Sequence, residues 1–453
     1  MKRRDFIRNS ALLGAALPVG AAPLVLTSCQ GKEGSASVKS ISPEELGMFS
    51  FVESAPDGKP LKAALIGCGD RGTGAATQFL KAGPNVSIVA LVDIFADRQE
   101  SCRKILKEKC NNEVSDENCF LGFDSYKKVL EMPDIDVVLI CTPTHFHPDQ
   151  FKAAVEAGKH VFMEKPCAVD PTGIRTAIAA AKIATTKGLT VITGTQRRHR
   201  RDYWEAFVQV RNGIIGDLIY ATAHWDQGAC WNKRKRPEWS DMEYCIRNWF
   251  NIKWLSGDHI LDQAVHNIDI VTWFMGMYPI RAAGFGGSAR RLTGDTFDFF
   301  SVDYSYENNK RMLTTARQID GCEGNVSERI LGTKGVALLN DRNRISIVDY
   351  SGNVLWKYDY EANPVKDPYD QEHVHLVESI RLDKKINQAE EFAYSTLVSI
   401  QGREAAYTGS AISWDEILAS PLRYGPETYA LGPLPDYHEG VVPVPGKDPV
   451  APM

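Results

Sequence analysis

The chain has 453 residues, 43% of them hydrophobic and 24% charged, which is the balance of an ordinary globular protein long enough for two domains. A formal net charge of −5 leaves no polybasic footprint and argues against nucleic acid as a partner. Ten Cys and nine Trp are present, and several of the Trp cluster between Trp225 and Trp254.

Read from its start, the chain opens with Arg3-Arg4-Asp5-Phe6-Ile7, which resembles a twin-arginine export signal. An uncharged, largely apolar stretch over 11–26 follows and ends in Leu26-Thr27-Ser28-Cys29, similar to the lipobox of bacterial lipoproteins. A run of about 16 residues is short of the ~20 that a spanning helix needs, and Pro18, Pro23 and two Gly interrupt it. The order of these motifs implies a signal over 1–28, cleavage before Cys29 and lipidation of its thiol. The expected product is an exported bacterial lipoprotein, periplasmic or at the cell surface, held to the membrane through Cys29. Residues 29–58, rich in Gly, Ser, Pro and Glu, read as a tether.

From residue 59 short apolar runs alternate with helical stretches. Runs at 63–66, 86–92, 136–141, 160–163 and 190–193 predict five strands, and helices are expected at 73–82, 96–110, 151–157 and 172–186. That alternation gives α/β, a doubly wound parallel sheet over 59–195. After residue 195 longer strands are expected at 218–225, 297–306, 311–318, 336–339, 345–350 and 354–358, with helices near 371–382 and 390–406. These predict an α+β domain over 196–420, built around one largely antiparallel sheet. Residues 421–453 are Pro-rich and read as a surface tail. Apart from Cys29 the cysteines are scattered without metal-like spacing. Cys68 and Cys141 end apolar runs and read as core; Cys110 and Cys119 flank a polar loop, where a disulfide is open to them in an oxidising compartment.

The chemistry starts at Gly67-Cys68-Gly69-Asp70-Arg71-Gly72, directly between a predicted strand and a predicted helix. Gly67 allows the tight turn, Gly69 lets the backbone approach a pyrophosphate, and Gly72 lets helix and strand pack closely. The helix N-terminus adds amide donors and a positive dipole. Asp93, about 20 residues past the last Gly, stands where the ribose-binding acid of a dinucleotide site belongs. A carboxylate there repels a 2′-phosphate, which favours NAD over NADP.

Two further motifs, Thr142-Pro143-Thr144-His145-Phe146-His147 after the third predicted strand and Glu164-Lys165-Pro166 after the fourth, carry a family resemblance. With the glycine loop they make the chain similar to the glucose–fructose oxidoreductase / inositol dehydrogenase / MocA family, over Lys62 to about Leu418. Gln196-Arg197-Arg198-His199, Gly216-Asp217-Leu218 and Asp262-Gln263-Ala264-Val265-His266 extend the match. The resemblance implies a Rossmann NAD domain followed by a domain for substrate and for homo-oligomer formation. It places Asp70, Arg71, Thr142, Pro143, Glu164 and Lys165 at the cofactor, with His147 and Arg198 near its nicotinamide end. The alternatives for the last two are a loop histidine and a salt-bridged arginine.

A hydride leaves a carbinol carbon only if the hydroxyl proton is taken at about the same time, so a general base must reach that hydroxyl. The resemblance makes His266 that base, with Asp262 one helical turn earlier on the same face. It brings Lys165 to the same hydroxyl, where its charge favours a developing alkoxide. The competing readings are a solvated lysine at 165 and a metal site among Asp258, His259, Asp262, His266 and Asp269. No H-E-x-x-H or Cys cluster supports the second, so no metal is expected, and Asp269 is expected to hold the helix or orient a neighbour. Residues 372–375 read as an ordinary helix surface. Trp225, Trp231, Trp239, Trp249 and Trp254, set among Arg234, Arg236 and Arg247, suit a carbohydrate platform, core packing or a subunit interface equally.

An exported enzyme has no ready pool of NAD, so the expectation is a tightly bound cofactor that oxidises a hydroxyl of a sugar-like substrate and is reduced and reoxidised in place. The alternative is an NAD-dependent glycoside-cleaving enzyme that works by transient oxidation, elimination and re-reduction. The family's NAD-dependent glycosidases carry a Thr-His-Gly-Leu-Gly-type segment where this chain has residues 262–266. A catalytically silent binding lipoprotein is disfavoured because Lys165 and His266 are intact.

Overall fold

Strand β1 (Leu61–Ile66) points Leu61, Ala63 and Leu65 into one apolar cluster, and Ala64 and Ile66 into another, so both faces of its sheet are covered. The computed structural model describes residues 41–446 except 341 and 343; the export motifs and Cys29 lie outside the described residues. β1 pairs in parallel with β2 (Val86–Asp93) and β4 (Val137–Ile140). β3 (Cys119–Leu121), β5 (His160–Met163) and β6 (Val191–Thr193) complete a six-stranded sheet in the order β3-β2-β1-β4-β5-β6. β3 was not anticipated, because an apolar run of only three residues is too short to read as a strand. The sheet's helices are α1 (Asp70–Lys81), α2 (Ala96–Cys110), α3 (Tyr126–Leu130), α4 (His147–Glu156) and α5 (Pro171–Thr186). α1 starts at Asp70 rather than Thr73, directly on the glycine loop.

In the second domain α6 (Arg201–Arg211) leads into β7 (Leu218–Gln227). A long excursion then carries α7 (Asp241–Arg247), α8 (Lys253–Ser256), α9 (His259–Asp262) and α10 (Val265–Met275). Strands β8 (Arg281–Gly287), β9 (Phe299–Ser305), β10 (Arg311–Gln318), β11 (Asn325–Gly332), β12 (Gly335–Leu339), β13 (Ser346–Asp349) and β14 (Val354–Lys357) follow. After α11 (Pro368–Arg381) and α12 (Ala389–Thr408), β15 (Ile412–Ser413) adds an edge and α13 (Trp414–Ala419) closes the domain. The nine strands are ordered β14-β13-β12-β11-β7-β10-β9-β8-β15, all antiparallel except the β7–β10 pair. α10 and α12 pack on one face of this sheet, while Phe285 on the other is 64% exposed.

Three expectations need correction. Glu372, His373 and His375 are buried, because α11 lies across the first domain's sheet beside α1, with His373 packed against Phe162 (ring centroids 4.3 Å apart). The tail is partly built into the core as well: Tyr424, Tyr429, Leu434 and Tyr437 pack against a buried cluster around Met242, Tyr244 and Trp254. Phe49 stacks on His375 at 4.2 Å, so the last residues of the expected tether dock too. Cys110 and Cys119, like the other described cysteines, are free thiols. No helix among the described residues is long and apolar enough to cross a membrane.

Candidate active site

The glycine loop has the form its spacing requires. Gly67 has φ +96°, and a Cβ there would fall 2.6 Å from the Cys141 carbonyl oxygen; one on Gly72 would fall 1.8 Å from the Gly67 carbonyl oxygen. Gly69 is the N-cap of α1 and has nothing within 4 Å of its Cβ direction. No side chain caps α1, so its first amides remain available to an anion in that space. The loop opens on a cavity of about 530 Å³ whose near wall includes Asp70, Arg71, Asp93, Thr142 and Pro143. Its far wall comes from the second domain: Trp231, Lys233, Ile246, Arg247 and Trp249. This groove fits a dinucleotide, with room for a pyrophosphate where a side chain would block it.

Asp93 is held by two backbone amides, Cys68 N–H donating to Oδ2 at 2.7 Å and Phe95 N–H to Oδ1 at 2.9 Å. Burial raises its carboxyl above the usual range, and those amides oppose the rise. Arg71 lines the groove, but its guanidinium is taken up by Glu164, by Glu372 Oε1 at 3.0 Å and by Gln78 Oε1 at 2.6 Å. Glu164 therefore anchors Arg71 and is not among the residues lining the groove. A Cβ on Gly194 would approach Glu164 Oε2 to 2.6 Å, so the carboxylate sits tightly under β6.

His147 and Arg198 have their polar atoms engaged by other groups of the protein. The His147 ring is buried between the carbonyl oxygens of Pro166 and Thr142, each 2.7 Å from a ring nitrogen, and it ties two loops together. Arg198 turns into the second domain, donating to both carboxylate oxygens of Asp269 at 2.8 Å and to Glu391 Oε2 at 2.9 Å, with its guanidinium over Trp273. The salt-bridged reading of Arg198 is the one the geometry supports, and Asp269 is its partner.

At the carboxyl edge of β5, Lys165 Nζ donates to the Asp262 backbone carbonyl and lies 3.7 Å from that residue's Oδ2. Asp262 and His266 do not share one continuous helix. The chain breaks between α9 and α10 at Gln263 and Ala264, yet both residues are buried and within electrostatic reach of Lys165. Burial raises the Asp262 carboxyl and Lys165 opposes it. Burial, then the positive charges of Lys165 and Arg197, hold His266 well below the ordinary imidazole value, so the ring is neutral at neutral pH. Its face packs against Trp225 at 5.4 Å, and it is 6% exposed.

Behind His266 stands a buried network that the sequence did not announce. Glu328, in mid-strand on β11, accepts from Arg197, from Asn267 Nδ2 at 2.7 Å and from Tyr203 Oη at 3.3 Å. The only sequence signal was Arg197, inside the motif after the fifth predicted strand; nothing marks an acid within a β-run as its partner. The tryptophans disperse: Trp225 packs on His266, Trp231 and Trp249 wall the groove, Trp239 lies beside Arg236 and Arg247, and Trp254 packs on His145. Among the described residues no group of three or more His, Cys, Asp or Glu gathers as metal ligands.

Comparison with known proteins agrees with this geometry. The family described as "Oxidoreductase family, NAD-binding Rossmann fold" matches residues 61–195, and its "C-terminal alpha/beta domain" matches residues 208–409. An uncharacterized oxidoreductase, YrbE, of Bacillus subtilis is 27% identical over 334 residues, covering 71% of this chain and 87% of its own. A glycosyl hydrolase family 109 protein of Streptomyces coelicolor is 30% identical over 170 residues, 38% of this chain and 35% of its own, so the match spans about a third of that relative. Among solved structures, scyllo-inositol dehydrogenase from Lactobacillus casei, with bound NAD(H) and scyllo-inositol, superposes with a TM-score of 0.59 at 20% identity, covering 78% of this chain and 99% of its own. With both domain families matched in order across a dinucleotide groove of the required form, the chain belongs to the Gfo/Idh/MocA oxidoreductases and is NAD-binding.

Proposed function

We propose that the protein oxidises a CH–OH group of a sugar or sugar-like substrate and keeps its cofactor bound through turnover. The observation that carries this reading is a neutral, buried imidazole, His266, within electrostatic reach of Lys165, whose ammonium is fixed by Asp262 at the carboxyl edge of the cofactor sheet. NAD, when bound, supplies the hydride acceptor. His266 takes the hydroxyl proton on a ring nitrogen, and its depressed basicity keeps that nitrogen free at neutral pH. The Lys165 ammonium faces the oxygen that gains negative charge, and a buried site makes that attraction stronger than water would. Asp262 is a positioning residue for Lys165. The Arg197–Glu328–Asn267 network holds α10 and Trp225, and with them the ring of His266.

The same reading includes export and anchoring through Cys29, supported by the motif order in the first 29 residues. It also includes association of copies through the open face of the nine-stranded sheet. A second reading, redox-assisted glycoside cleavage, is favoured by the glycosyl hydrolase family 109 relative and opposed by the departure at residues 262–266.

The test is to denature purified protein, identify any released nucleotide by mass, and follow nicotinamide absorbance while presenting sugars and aryl glycosides. Stoichiometric NAD that becomes reduced by a free sugar supports the first reading. Retained NAD without net reduction, but with release of the aryl group, replaces it with the second.

A further inference from the structure

Residues 228–249 leave the end of β7, run in irregular backbone to Ser240 and return through α7. They belong to the second domain yet line the dinucleotide groove of the first through Trp231, Asn232, Lys233, Ile246, Arg247 and Trp249. Their hold on the first domain is specific. The Arg247 guanidinium lies 3.9 Å from the centre of the Phe95 ring and donates to both carboxylate oxygens of Asp97, at 3.0 and 2.9 Å. Phe95 and Asp97 lie two and four residues past Asp93, so this contact lies at the adenosine end of the groove.

Lys233 places its ammonium 5.6 Å from the centre of the Trp231 ring. It is half-buried, its backbone amide is fixed by Asn248 Oδ1 at 2.8 Å, and among the described residues no carboxylate lies in ion-pair range of its ammonium. Its nearest charged neighbours include two more cations, Arg98 and Arg247. Burial first, then those cations, weaken its hold on its proton, against the smaller pull of Asp70 and Asp97. Arg98 reaches Asp70 at the first turn of α1, with Nη1 3.3 Å from Oδ1. Three cations, two of them paired with Asp70, Asp97 and Glu243, thus line a groove whose floor at Gly69 leaves open space in its Cβ direction.

We propose that residues 228–249 are a clamp over the dinucleotide, in which Lys233 supplies the counter-charge to the pyrophosphate and Arg247 latches the clamp to Phe95 and Asp97. The inference rests on the cofactor being NAD and deepens the proposal that it is retained. A dinucleotide between Gly69 and Lys233 leaves only after the Arg247 latch opens, so the latch sets the release rate. The clamp also divides labour with the glycine loop: backbone amides hold the pyrophosphate from one side and a side-chain cation from the other.

The experiment uses the full chain loaded with NADH and displaced by excess NAD, with release followed by nicotinamide fluorescence. Equilibrium binding of ADP and of adenosine is measured beside it. Lys233→Ala and Arg247→Ala are expected to speed release about tenfold or more, the size of a lost charge-assisted contact. Lys233→Arg should restore slow release, and Arg236→Ala, in the same segment but outside the groove, should match wild type. Lys233→Ala should weaken ADP by a similar factor and leave adenosine unchanged. Unchanged release in both alanine variants, from a wild type that does hold NADH, overturns the clamp alone. Equal weakening of ADP and adenosine overturns the pyrophosphate assignment. A wild type that takes up no NADH overturns the cofactor reading together with the clamp.

Discussion

Lys165 donates its ammonium proton to the backbone carbonyl of Asp262, and that contact joins the carboxyl edge of the Rossmann sheet to the helix break that precedes His266. The first domain thereby brings a cation within electrostatic reach of the buried His266 imidazole of the second. Lys165→Met preserves much of the side chain's volume and removes the charge. We expect turnover to fall about 10²–10³-fold, in the range of other lost oxyanion donors, while NADH binding stays within a few-fold. A variant that retains wild-type kcat would remove Lys165 from the mechanism.

His266→Ala should abolish turnover and leave NAD bound, with a loss of about 10²–10⁴-fold if the ring acts as general base. The wild-type pH profile carries a second check. Because burial and two cations depress the imidazole, kcat/KM should be flat through neutrality and fall only below the ordinary imidazole value of about 6.5. An acid limb centred above neutrality would assign the base to another group.

Arg198 and Asp269 offer the opposite pattern. Both are buried and doubly hydrogen-bonded to each other, so Arg198→Ala leaves an uncompensated carboxylate and should destabilise the fold by about 3–5 kcal/mol. NADH affinity measured below the lowered melting temperature should be unchanged. A selective loss of NADH affinity without a stability change would return Arg198 to the cofactor.

Acid stability follows from the buried histidines. Burial lowers His145, His199 and His259 to about 3 and holds His373 and His375 well below the ordinary imidazole value. The unfolded chain binds protons on these rings near pH 6.5 while the folded chain does not. Stability is therefore present above that pH and is lost as pH falls below it, by about 1.4 kcal/mol per pH unit for each such ring. Melting temperature measured from pH 7 to 5 should drop steeply; a flat profile would mean that these rings are already charged in the fold.

Asp93→Ser removes the carboxylate that would repel a 2′-phosphate. The ratio of NADP to NAD affinity should rise, since Arg98 lies in the same groove wall. No change in that ratio would show that Asp93 does not face the ribose.

What the sequence revealed and concealed divides along a physical line. The form of the glycine loop and the places of Asp93 and Lys165 at strand ends were legible because they depend on local backbone pattern. Helix α2 was read to its observed bounds, since its ends are marked by local signals. β8 was missed because Gly284, Gly286 and Gly287 give it no apolar pattern, and β11 because Ser327, Glu328 and Arg329 look like a loop. Both become strands through pairing with distant partners. Glu328, the true surroundings of Arg198 and the clamp at Lys233 depend on residues far apart in the chain, which no local pattern encodes. The burial of Glu372 and His373 was hidden for the same reason: polar residues on a helix look solvated until the surface that receives them is known.

That receiving surface has a consequence for how the molecule is made. α11 covers the first domain's sheet with Val374, Leu376 and Val377, which join Phe79, Leu65 and Phe162 in a single cluster. As the chain emerges from the ribosome, the N-terminal half completes all six of its strands long before α11 exists, and it must wait with that patch of sheet uncovered. A fragment cut near residue 195 would keep the whole nucleotide motif and still present a greasy wound, prone to self-association. The two halves are separate in family description but not in folding: the second half finishes the first.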